Sequence, residues 1–545
     1  MNRALPILLL ALPAGATAQA RPVYTRADTL RGSYTTPGRA WWDVTFYDLR
    51  VAIQPRDSSI TGSNAITYRV LEPGSELQID LMTPLEIDSI VQDGRALEFR
   101  REGNAFFVTP AGPQPANDSK RITVYYHGKP RAAARPPWEG GFTWGADSLG
   151  RPWVVTSDQG VGASIWWPNK DTQADEPDSQ RVAITVPKPM LDVSNGRLRR
   201  TTRNRDGTLT YEWFVRRPLN NYAVAVNAGG YAHWSDVYTG EKGALTLDFY
   251  PLDYHLEVAK RQWAEVKPML QCFEHWFGPY PWYEDGYKLI ETSHLGMEHQ
   301  SAIAYGNGFR NGYRGRDLSA TGHGLKWDFI IVHESAHEWW GNNLTTKDIA
   351  DMWVHEGFAN YSEGLYTECR FGKQAGAEYT VGSRFNLLGE RPIVTEYGVN
   401  ATPPVDQYYK AGNMLHTIRQ LINDDERWRG ILRGLNSTFR EQTVTGKEVE
   451  DYITRESGID LRKVFDQYLR TAQIPVFNYR VARDTLWYRW QSAVPGFDMS
   501  IRVTTAPGQL TFIKPGARWK SMPVKVPADQ FKVDPNFYVA LLRDP

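Results

Sequence analysis

The residues that could do chemistry together lie in one short run, Ile330-Ile331-Val332-His333-Glu334-Ser335-Ala336-His337. Residues four apart on a helix share a face one turn apart, so His333 and His337 would aim two imidazoles at one point. Two imidazoles so placed can hold a Zn2+ ion. Glu334, beside the first histidine, can reach the open side of that ion and take a proton from water. The alternative is a solvated helix face with two incidental histidines. The apolar residues ahead of the motif argue against it, because they predict a buried helix whose imidazoles and carboxylate need partners.

A third ligand is expected from a following helix. Glu356 lies nineteen residues after His337, within Trp353-Val354-His355-Glu356-Gly357-Phe358-Ala359. Two histidines and a carboxylate leave a fourth position for water, the arrangement of a catalytic zinc site with one ion per chain. His355 points off the ligand face and receives no ligand role. Glu363, two turns beyond Glu356, shares its face. It either orients a ligating histidine or is a plain exposed carboxylate, and the sequence leaves both open.

These segments need a frame to position them. With roughly 150 residues per domain, 545 residues predict three or four domains. From about 256 to 467 the apolar spacing is mostly helical, as in 256–276 and 412–423. Thr445 and Glu448 have capping-box spacing and open a helix there. From 24 to 226 the pattern is alternating strands and turns. Residues 89–91, Asp93-Gly94 and 97–99 predict a hairpin, Asn195-Gly196 and Asp206-Gly207 repeat the turn signal, and Tyr222-Ala223-Val224-Ala225-Val226 predict a late buried strand. After Pro475 short β segments return, such as 486–490. The expected architecture is multidomain α+β: a β-sheet domain over 21–236, a mainly helical catalytic domain over 237–473, and a small β domain over 474–545.

Composition narrows the function classes. Lysine plus arginine and aspartate plus glutamate both number 62, for a formal net charge of zero. No basic tract with interleaved aromatics is present, so nucleic-acid binding lacks its electrostatic footprint. Residues 1–20 combine Arg3, an apolar run from Ala4 to Leu12 and small residues ending in Ala18-Gln19-Ala20, which predicts a secretory signal and an exported, periplasmic or extracellular protein. That run is shorter than the ~20 residues a membrane span needs, and no later segment reaches that length. The two cysteines, Cys272 and Cys369, fall in segments read as helical and far apart, so two unpaired buried thiols are expected rather than a disulfide.

Together the segments resemble the zinc aminopeptidase family that includes aminopeptidase N and leukotriene hydrolase. His337-Glu338-Trp339-Trp340-Gly341-Asn342 and the segment around Glu356 match in order and spacing. Leu295-Gly296-Met297-Glu298-His299 is similar to the family's G-x-M-E-N exopeptidase motif. Tyr409-Lys410-Ala411-Gly412 is similar to its Y-x-K-G segment, with the lysine one place early. Trp167-Pro168, Asp175-Glu176-Pro177 and Ser194-Asn195-Gly196 resemble a further stretch. The resemblance implies a saddle- or sandwich-like β domain ahead of a thermolysin-like catalytic domain, in a short form without the large C-terminal helical domain of many relatives and so with a more open site. It implies that Glu298, with Gly296, Met297 and Gln159, binds the free amine of a peptide, and that Tyr409 donates a hydrogen bond to the oxyanion. His299 departs from the family's asparagine. The implied activity is removal of N-terminal residues from peptides. The rivals are a thermolysin-type endopeptidase, which cleaves N-blocked substrates, an inactive peptide-binding relative, and a hydrolase of a non-peptide substrate such as an epoxide.

Overall fold

The computed structural model describes residues 23–544, so the expected secretory signal lies outside the described residues. An eight-stranded sheet leads the chain, in the spatial order Arg197–Arg203, Leu209–Val215, Ser179–Val186, Trp42–Gln54, Ser59–Val70, Ser119–Gly128, Glu86–Gln92, Arg95–Ala96. Only the pair Trp42–Gln54 and Ser179–Val186 runs parallel. A bulge between Val44 and Phe46 shifts the side-chain parity of the long strand. Trp42 and Val44 before it, and Tyr47, Leu49, Val51 and Ile53 after it, therefore all point into one core.

Several sequence expectations are corrected here. Asp93 and Gly94 make the predicted turn with φ of 48° and 76°. The return strand is only Arg95–Ala96, and Phe99–Glu102 crosses into a separate sheet with Ala105–Val108 and Leu77–Asp80. Residues 222–226 are buried as expected but do not begin a strand: Asn221–Ala223 is a 3-10 turn, and the strand is Asn227–Gly229. The reason is a competing side chain. The Asn195 amide donates to Ala223 O at 2.8 Å and accepts from Ala225 N–H at 2.9 Å, taking groups a ladder would use. A short helix, Arg26–Gly32, precedes the first strand, opened by a capping box between Thr25 and Asp28 that the β reading of this region missed.

The second layer is built on a five-stranded sheet in the order Trp234–Gly240, Gly243–Tyr250, Tyr287–Glu291, Ile303–Tyr305, Gly296–Met297. It begins at Trp234, so a boundary after residue 236 cuts its first strand. Helices Val266–Phe277 and Phe329–Ala336 pack on it, Trp353–Phe371 packs against both of them, and Asp406–Ile422 packs against Trp353–Phe371. One hydrophobic cluster runs from Leu245 through these helices and on to Phe477, Trp490, Ile501 and Tyr538, while the N-terminal sheets have their own. The C-terminal strands thus share the catalytic core. The capping box at Thr445 and Glu448 is present.

The cysteine expectation is overturned. Cys272 and Cys369 do sit in helices, Val266–Phe277 and Trp353–Phe371, but these pack side by side. Their Cα atoms are 6.0 Å apart and the sulfurs form a disulfide across a separation of 97 residues. Among the described residues, no helix is long and apolar enough to cross a membrane.

Candidate active site

The motif helix Phe329–Ala336 starts on a buried N-cap. Asp328 Oδ1 accepts from Ile330 N–H at 3.1 Å and Ile331 N–H at 3.4 Å, and its carboxylate also accepts from Tyr305, Gln262 and Asn307. Burial pushes this carboxyl up to about 6. The helix ends at His337, its C-cap. Gly341 then turns the chain at φ 124°, where a side chain would press on His355 at 3.1 Å. In the same turn, Trp340 O lies 2.9 Å from His337 Nδ1 and fixes that ring.

The other imidazole is fixed by a carboxylate. His333 Nδ1 lies 2.8 Å from Glu363 Oε1, and Glu363 Oε2 accepts from Tyr379 at 2.7 Å. This decides the open choice for Glu363: it is buried and orients a histidine. Both Nε2 atoms are left facing Glu356 Oε2, at 3.6 Å from His333 and 3.4 Å from His337. That oxygen is buried and has no hydrogen-bond partner among the described residues. One ligand atom from each of His333, His337 and Glu356 falls within 4.8 Å of the others. An orphaned carboxylate oxygen between two committed imidazoles fits a tetrahedral Zn2+ with three protein ligands. His355 stays out, accepting from Thr346 N–H at 3.0 Å. We expect Glu363→Ala to weaken zinc binding about 10- to 100-fold, read by competition with a chelating indicator.

Glu334, Glu298 and His337 form a second convergent group against the first. Burial pushes the Glu334 carboxyl up to about 7, with Glu298 and Glu356 adding to the rise and His333 and His337 opposing it. The strand Gly296–Met297 runs directly across this carboxylate. A Cβ at Gly296 would stand 2.6 Å from Glu334 Oε1, so a side chain here would displace that carboxylate. The next residues place Met297 and Glu298 in buried positions, with Glu298 only 2% exposed. Gln159 reaches in from the N-terminal region, donating to Glu298 Oε1 and, at 3.0 Å, to Glu356 Oε1. Tyr222, hidden from the sequence reading inside its supposed strand, points its hydroxyl at Glu298 Oε1 from 3.4 Å.

The tyrosine assignment changes. Tyr408 and Tyr409 are neighbours on the helix Asp406–Ile422, where successive side chains point about 100° apart. Tyr408 faces the site: its ring lies 5.9 Å from that of His333. Burial lifts its phenol well above the ordinary value, and the carboxylates of Glu356, Glu298 and Glu334 add to this. Burial also lifts the Tyr409 phenol, but there it is Glu363 and Tyr313 that add to the rise. The signal was in the spacing from Lys410. That lysine is buried and donates to Ala472 O at 3.0 Å, which pins the helix, and Tyr408 keeps the Y-x-K spacing that Tyr409 breaks.

Residues 263–468 match the family model of the Peptidase family M1 domain. His333, His337, Glu356, Glu334, Glu298 and Tyr408 all lie within the matched residues, and the first three form the group able to hold a metal ion. Among curated proteins it is 24% identical over 486 residues to aminopeptidase N of Lactobacillus helveticus, covering 80% of this chain and 52% of that one. It is 23% identical over 469 residues to aminopeptidase B of Mus musculus, covering 78% and 67%. The chain thus spans about half the length of the first relative and two thirds of the second. Among solved structures, an M1 zinc metallopeptidase from Deinococcus radiodurans bound to a Tyr-Ser-Ala substrate superposes with a TM-score of 0.69 at 20% identity. It covers 82% of this chain and 98% of that one, which shows a shared fold.

Proposed function

We propose that this protein is a zinc-dependent aminopeptidase that hydrolyses the first peptide bond of peptides with a free N-terminus. One observation carries the reading. Glu298 is a buried carboxylate beside the metal group, and among the described residues no lysine or arginine pairs with it. A buried carboxylate without a cation is unfavourable, so the counter-charge is expected from the ligand, and a peptide's α-ammonium supplies it.

His333, His337 and Glu356 would hold the Zn2+, which polarises a carbonyl and lowers the pKa of water when bound. The chain's own groups do the rest. Glu298 and Gln159 hold the ammonium and set the first peptide bond beside Glu334. Glu334 takes a proton from water and later returns it to the leaving amine. The Tyr408 hydroxyl donates to the oxyanion as it develops, an interaction stronger in the transition state than before it. Export to the periplasm or beyond belongs to the same proposal, supported by the composition of residues 1–20 and by a disulfide suited to an oxidising compartment.

Matched aminoacyl arylamides, free and N-acetylated, test the reading on wild type and Glu298→Ala. Chelator-sensitive cleavage of the free set alone is expected. In the variant kcat/KM should fall about 10- to 100-fold, the worth of a charge-assisted hydrogen bond. Equal cleavage of acetylated substrates would make the protein an endopeptidase.

A further inference from the structure

The loop that carries Glu298 is gripped from two sides by residues that the mechanism above does not use. The first side is the continuation of the motif helix. Asn342 Nδ2 donates to the backbone carbonyl of Glu298 at 3.0 Å, and Ser301 N–H donates to Glu338 Oε1 at 2.8 Å. The second side is the N-terminal β region. Asn195 Nδ2 donates to Gln300 O at 2.7 Å, and Gly196 N–H donates to Ser301 Oγ at 2.9 Å. All of these bonds end on the loop's main chain or on Ser301, and none reaches the Glu298 carboxylate. Asn195 and Glu338 are fully buried and Asn342 nearly so. Between the grips Ser301 is held at φ 54°, a left-handed conformation that a serine adopts where its surroundings impose it.

The covalent path is short. Glu338 follows the ligand His337, and Asn342 lies five residues beyond it. The segment that carries the two ligand histidines therefore continues directly into the grip on the amine anchor. An exopeptidase needs that spacing fixed, because one residue must fit between the ammonium and the cleaved bond, and a 1 Å misplacement can lower the rate about 100-fold.

We propose that Asn342, Glu338 and Asn195 are positioning residues that lock the Glu298 main chain to the metal helix, and so restrict binding to ligands whose ammonium lies one residue from the metal. This rests on Glu298 as the amine anchor, and it assigns work to two segments, 194–196 and 338–342, that family resemblance singled out without a role.

The test uses two hydroxamates on the zinc-loaded protein, leucine hydroxamate and the same molecule with its α-amine replaced by hydrogen. The affinity ratio reads the anchor; the des-amino compound reads the metal. Wild type should prefer the amino form. Asn342→Leu and Glu338→Leu should lose about 10- to 100-fold of that preference, with zinc content and des-amino affinity unchanged. Glu338→Gln keeps an acceptor for Ser301 N–H and should keep the preference. Should Asn342→Leu fail to fold, Asn342→Asp removes the donor and keeps the shape. Full preference in the Leu variants, or equal weakening of both ligands, would overturn the clamp. A wild type without preference would sink the amine-anchor reading itself, and the clamp with it.

Discussion

Glu334→Gln is expected to bind zinc as the wild type does and to lose activity about 100- to 10,000-fold in kcat, with KM little changed. Glutamine has the size and shape of glutamate but accepts no proton at neutral pH. Glu334 is not among His333, His337 and Glu356, the three groups that converge on the metal position. Its carboxyl, pushed up to about 7 by burial, is matched to a group that must take a proton and give it back near neutrality. Metal analysis, thermal melts and steady-state kinetics on the same preparation check this. A variant that stays fully active would remove Glu334 from the chemistry; one that loses its zinc would make it a metal-site residue.

The second large effect separates two neighbours. Tyr408→Phe should lower kcat about 100- to 1,000-fold, the loss typical of removing one oxyanion donor, while Tyr409→Phe should stay close to wild type. Each change deletes a single hydroxyl on the same helix, so each serves as the other's control for folding. Tyr408 stacks on His333 and feels the charges of Glu356, Glu298 and Glu334, whereas Tyr409 feels those of Glu363 and Tyr313. Activity surviving in Tyr408→Phe and lost in Tyr409→Phe would reverse the assignment. Arylamide cleavage by the two purified variants is sufficient.

The metal group was legible because local rules decide it. Histidines four apart on a buried helix must converge, and Glu356 and Glu363, seven apart, share a helix face. The strand-and-turn grammar of the first half was legible for the same reason, as Asp93-Gly94 illustrates. What escaped depends on contacts distant in sequence. Tyr222 reads as one more apolar strand residue until Asn195 pulls residues 223–225 out of register. Cys272 and Cys369 look unrelated until two helices pack. Tyr408 was missed by aligning on Gly412 rather than on the lysine that pins the helix. Gln159 was found only by resemblance, since nothing within the β region marks an amide that reaches across to Glu298.

The disulfide has a topological meaning as well as a local one. Cys272 and Cys369 close a covalent ring that contains Glu298, His333, Glu334, His337 and Glu356, and leaves Gln159, Tyr222 and Tyr408 outside it. A ring of about 100 residues shrinks the unfolded ensemble by the equivalent of roughly 4–5 kcal/mol on the chain-entropy argument. Every metal ligand rides inside that ring, so a single backbone cut anywhere within it leaves both fragments covalently joined. A protein closed in this way can be nicked there without being divided.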